Sequence, residues 1–128
     1  MPEPLFRNTS RTYPVFNMNI PDQFRAAQFI NEIQEKYVKG GEPFPRFIYI
    51  HLPNEHMTEP RPQDGYPYEA SYVADNDYAL GRIVEYLSST PWWREMAIFV
   101  TAGGTTLTRI ARCSWGSGRI SNATMSRM

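Results

Sequence analysis

The chain has 128 residues, 13 Lys and Arg balanced by 13 Asp and Glu, 41% hydrophobic and 14% aromatic residues, and one cysteine. That length holds at most one small domain with a modest core, and the lone Cys113 excludes an internal disulfide and any multi-cysteine metal site. No stretch approaches the ~20 apolar residues of a membrane span, and residues 1–11 lack a signal-length apolar run, so the chain as written reads as soluble and untargeted.

Residues 1–20 read as a loop-rich lead-in. Pro21 and Asp22 then open a helix, with Asp22 as its N-cap, and Phe24, Ala27, Ile30, Ile33 and Tyr37 recur at helical spacing until Gly40 and Gly41 stop it. Arg46–Leu52 is an apolar run of strand length, suited to burial on both faces and ended by Pro53. A loop rich in Pro, Gly and charge follows from Asn54 to Tyr68, long enough to suggest function. The next helix is predicted from about Glu69 to Ser88, with Val73, Asn76, Leu80, Ile83, Val84 and Leu87 on or near one face. After a turn at Pro91, Trp92 and Trp93, residues Met96–Thr101 read as a second doubly apolar strand. Strand, crossover helix and strand make a right-handed βαβ unit, so the expected class is α/β with a parallel core.

In open parallel sheets, ligands gather beyond the carboxyl ends of the strands. That rule selects His51–Thr58 after the first strand and whatever follows Thr101 after the second. Glu55 and His56 are side chains a divalent metal uses, but one pair cannot close a site. His51 is expected inside the strand end as a core histidine. Asp75, Asn76 and Asp77 cluster oxygen atoms, yet near a helix start they read as structural, meeting the helix dipole. Trp92 and Trp93 fit sheet-edge packing better than a substrate platform, and Arg46 and Arg82 have no spacing that marks a phosphate site.

The run FIYIHLPNEH, followed by YEASYVADNDYALGRIVEYLSSTPWWREMAIFVT, resembles the phosphoesterase family of phospholipase C and acid phosphatase type within the alkaline phosphatase superfamily. The resemblance covers about residues 12–101. It implies an α/β/α sandwich, hydrolysis of phosphate esters, and divalent metals that activate a nucleophile and stabilise charge on phosphoryl oxygens. Asn54, Glu55 and His56 match the loop the family writes as Asn-Asp-His, with Glu in place of Asp. Members of the family are often exported.

The pattern changes character after Thr101. Residues 102–128 hold four arginines, Cys113 and no Asp or Glu, where the family continues with an acidic segment and then an Asp- and His-rich one. No nucleophile is assigned. The resulting expectation is a partial phosphoesterase domain over 1–101, a truncated fragment inactive as isolated, followed by a disordered, aberrant tail over 102–128. A shifted reading frame through the tail's codons allows an Asp- and His-rich continuation, which makes a frameshift the expected origin of the tail. The alternatives are a non-catalytic α/β interaction module, with possible self-association through an exposed sheet edge, or a basic tail that binds nucleic acid. Four arginines without interleaved aromatics make a weak footprint, so no nucleic-acid partner is expected.

Overall fold

The computed structural model describes residues 2–101 and 108–112, which fall into two compact units, one up to Glu85 and one from Tyr86. The first unit opens with the short helix α1 (Glu3–Arg7), with Pro2 leading into it and Arg7 reaching back one turn to Glu3 at 2.7 Å. Residues 8–20 form turns and bends. Helix α2 (Asp22–Ile33) then starts behind Pro21, whose fixed φ and missing N–H suit a helix entry, and runs into a π-helical segment at Gln34–Lys39.

Gly41, in the left-handed region at φ 69°, turns the chain out of that segment, and before it Gly40 leaves no room for a side chain. The Gly40 N–H bonds the Glu35 carbonyl at 3.0 Å, and a Cβ added there would lie 2.5 Å from the Lys36 carbonyl oxygen. Short 3₁₀ turns at Pro53–His56 and Pro62–Asp64 punctuate the long connection to α3 (Ala70–Ser88).

Both long helices lie where the sequence places them, but their buried faces are rotated from the apolar stripes. On α2 the buried residues are Asp22, Arg25, Ala26, Phe29 and Ile33, while Phe24 is 67% exposed. On α3 they are Tyr72, Asp75, Ala79, Ile83 and Leu87, while Val73 is exposed. The cause is common to both helices. Each buries polar residues near its start, and satisfying those groups sets the rotation that the apolar side chains must follow. The apolar core of the first unit comprises Ala26, Phe29, Ile33, Tyr66, Tyr72, Ala79 and Ile83.

The expected parallel βαβ core and α/β/α sandwich are not formed. Arg46–Leu52 contains no strand, and its side chains from Arg46 to Tyr49 are exposed. A strand needs a neighbour to bond with; Pro43, Pro45 and Pro53 each remove a donor around this run, and no described strand lies in the same unit. In the second unit, β1 (Ala97–Thr101) forms as expected but pairs antiparallel with β2 (Thr108–Arg112), from Ala97 opposite Arg112 to Thr101 opposite Thr108. Burial along β1 alternates, with Phe99 68% exposed, so it is not a doubly buried strand. Sheet-edge self-association falls with the sheet that was to supply the edge. Residues 108–112 of the expected disordered tail are thus a strand; Cys113 and the remaining frameshift stretch lie outside the described residues.

The two glycines Gly40 and Gly81 give opposite predictions. Gly40→Ala forces a methyl group against the Lys36 carbonyl and is expected to cost about 1–3 kcal/mol. Gly81→Ala, inside α3 with open space around its Cβ, is expected to stabilise by about 0.5–1 kcal/mol through helix propensity. Denaturant unfolding of the two variants checks the signs.

Candidate functional site

The most distinctive chemistry of the first unit is a buried polar cluster. Asp22 opens α2, but its side chain does not cap the helix; it faces inward with no exposed surface. Its Oδ2 accepts from the Asn54 backbone N–H at 3.0 Å and from Asn76 Nδ2 at 2.9 Å, and its Oδ1 faces Arg25 Nη1 at 3.2 Å. Asp75, one helical position before Asn76, accepts on Oδ2 from the Asp22 N–H at 2.6 Å and Asn54 Nδ2 at 2.8 Å, and on Oδ1 from Gln23 Nε2 at 2.8 Å. Asn76 also donates to the Leu52 carbonyl at 2.9 Å. Three separate segments, the start of α2, the 53–56 turn and the second turn of α3, are therefore joined by carboxylates that accept from backbone and amide donors.

Arg25 balances the charge. Its guanidinium is fully buried and donates to the carbonyls of Val15 at 2.9 Å, Asn17 at 3.0 Å and Ile20 at 2.5 Å. Arg61 does the same work from the loop, donating to the Met18 carbonyl at 2.9 Å, to the Asn19 side chain and to Tyr72 Oη at 2.9 Å. Its guanidinium lies 5.6 Å from the ring centres of both Tyr66 and Tyr72, which stack on each other at 4.2 Å. Burial, assisted by the nearby Asp75 charge, raises the Tyr66 phenol, keeping it a neutral hydroxyl. Arg25 Nε and Asn54 Oδ1 are buried without a hydrogen-bond partner among the described residues.

The sequence-selected residues divide between the units. Asn54, Glu55 and His56 share the 3₁₀ turn behind Pro53, with Asn54 fully buried in the polar cluster. His56 is exposed and meets Phe16 edge-on at 5.7 Å, while His51 stacks on the same ring at 5.8 Å, half-buried and in no strand. Thr101 ends β1 in the second unit, exposed. Among the described residues no three His, Cys, Asp or Glu side chains come together as metal ligands. Glu55 and His56 supply two of the four ligands that a closed divalent-metal site uses. Asp75 and Asn76 are structural, though through tertiary hydrogen bonds rather than the helix dipole. Arg25, Arg61, Tyr66 and Tyr72 were missed altogether. The available signal was the opposite-charge pair Asp22 and Arg25 three residues apart on a helix that is otherwise apolar on its inner face.

The chain matches no family model, no curated protein and no solved structure. With neither a sheet core nor a three-residue ligand set among the described residues, the metal-dependent phosphoesterase reading and its phosphate-ester substrate are overturned. No helix among the described residues is long and apolar enough to cross a membrane.

Two measurements probe this region. Burial raises the Asp22 carboxyl above its ordinary 3.8, outweighing the hydrogen bonds from Asn76 and Asn54 and the Arg25 charge that act to lower it. The folded chain therefore holds this proton more tightly than the unfolded one. Stability tied to Asp22 is full below pH 3.8 and is lost as pH rises through the raised value. Across that window the slope of unfolding free energy against pH should be more negative in the parent chain than in Asp22→Asn, on top of the opposite contribution of Glu32, whose burial is outweighed by hydrogen bonds from Lys36 and Ser10 that lower its carboxyl; equal slopes would remove Asp22 as the source. Separately, Met57 closes the 53–56 turn at φ 54° and ψ 163°, a region suited to glycine. Met57→Gly is expected to raise the melting temperature, corresponding to a gain of about 1 kcal/mol.

Proposed function

We propose that the first unit is a non-catalytic interaction module in which Phe47–Ile50 takes up an extended segment of another polypeptide. The observation that carries this reading is a conflict between sequence and surroundings. Phe-Ile-Tyr-Ile is a strong strand-forming run, yet it lies outside any strand, with Phe47 81% and Tyr49 77% exposed. No backbone hydrogen bond among the described residues involves Arg46–Ile50. The segment is nevertheless anchored just downstream, where Tyr13 Oη donates to the His51 carbonyl at 2.9 Å and Asn76 to that of Leu52.

An added strand would satisfy the open backbone groups and cover Phe47 and Tyr49, which share one face if the run extends. Arg46 at the head of the segment has no ion pair among the described residues, which favours an occupant with an acidic residue at that end. The polar cluster, by contrast, is committed to internal hydrogen bonds and offers little to a substrate. This reading differs from sheet-edge self-association: it needs no sheet, and the occupant is a different chain.

The test uses a capped synthetic peptide of alternating valine and threonine with a terminal aspartate. Binding should slow amide hydrogen exchange at 46–50, and the double variant Phe47→Ser, Tyr49→Ser should weaken it about tenfold, the scale of two lost apolar contacts. Unchanged exchange at these amides, or protection that appears through dimerisation of the chain without peptide, overturns the proposal.

A further inference from the structure

A second surface of the first unit is concave. A cleft of about 630 Å³ opens between α2, the turn that ends at Gly65, and α3, within the size range of small-molecule sites. Phe24 from α2 and Tyr78 from α3 both line it, 67% and 59% exposed, so their rings are left uncovered where a ligand would sit. Tyr66, almost fully buried, adds a third aromatic wall.

The charged groups of the lining are Asp64, Asp75 and Arg82, a net charge of one negative. They are not equivalent. Asp75 has its oxygens occupied by the Asp22 N–H, Asn54 and Gln23, so it supplies field but no free acceptor. Asp64 is half-exposed and forms an ion pair with Arg61 Nε at 3.6 Å, too long for a hydrogen bond. That guanidinium is meanwhile engaged by Met18, Asn19 and Tyr72. The Asp64 carboxylate therefore keeps hydrogen-bond acceptor capacity at the cleft while sharing its charge with Arg61. Arg82 is tethered through Nη1 to the Gln23 carbonyl at 3.2 Å.

From this arrangement we infer that the cleft binds a protonated amine carried on a flat apolar body. The aromatic faces attract the cation and bury the apolar part, and Asp64 accepts the ammonium hydrogen bond. An anion of the same shape would meet a lining of net negative charge. The site shares no residue with Phe47–Ile50 and is independent of the interaction proposed there.

The probes are phenethylammonium, neutral 2-phenylethanol and phenylacetate, each titrated into the full chain while backbone and ring NMR shifts are followed. Phenethylammonium is expected to shift Phe24, Tyr78 and Asp64 and to bind about tenfold tighter than 2-phenylethanol, a margin typical of one charge-assisted contact. Asp64→Asn should erase that margin while leaving the neutral probe unchanged, and Tyr78→Ser should weaken both. Phe47→Ser should alter neither. Equal affinity for all three probes marks a mere apolar dent and overturns the assignment. So does tightest binding of phenylacetate, or an absence of shifts at Phe24 and Tyr78. All three substitutions fall on exposed side chains, and a melting curve for each variant separates lost binding from lost fold.

Discussion

The first unit depends on the Asp22 carboxylate. It is removed from water, and it remains tolerable only because an arginine and two donors from distant segments converge on it. Loss of one partner of such a buried pair costs about 3–5 kcal/mol, since the other charge is left without compensation. That sum is comparable to much of the stability of a small domain. The 53–56 turn and α3 are consequently positioned by polar bonds as much as by apolar contact. A core built from Ala26, Phe29, Ile33, Ala79 and Ile83 alone would not specify which residues of each helix face inward.

This is why the helices were legible in the sequence and their orientation was not. Proline entry, glycine exit and the spacing of apolar residues locate α2 and α3 to within a residue or two at most ends. Those signals are local. The inward rotation is decided by Asp22, Arg25, Asp75 and Asn76, whose partners lie up to 54 residues away and leave no period in the chain. Phe24 shows the result: correct spacing for a core position, yet on the outside. Strand pairing is less local still. Nothing in Arg46–Leu52 distinguishes a run with a neighbouring strand from one without; β1 has such a neighbour in β2, so its existence was legible while its antiparallel pairing and one-sided burial were not.

The stretches that suggested a phosphoesterase site have other employment. Asn54 is spent in the polar cluster, and Asp75 and Asn76 join three chain segments. Asn, Asp and His near loop boundaries serve equally well as metal ligands or as partners for orphan backbone groups, and only their three-dimensional neighbours separate the two uses. In this fold Glu55 and His56 stand beside that cluster without a third ligand among the described residues.

Arg25 has a consequence for how this chain can vary. Its three carbonyl partners, at Val15, Asn17 and Ile20, are backbone atoms, so these bonds place no demand on the side chains at those positions. They do constrain the number of residues between Val15 and Arg25. An insertion or deletion within residues 16–20 would move the carbonyls out of register with a guanidinium that has no route to water, even though those residues have no regular secondary structure and a surface loop ordinarily absorbs such changes. The lead-in is thus a spacer whose length is fixed by backbone carbonyls, beside the side-chain contacts of Tyr13, Phe16 and Asn19, the reverse of what a loop of its composition would suggest.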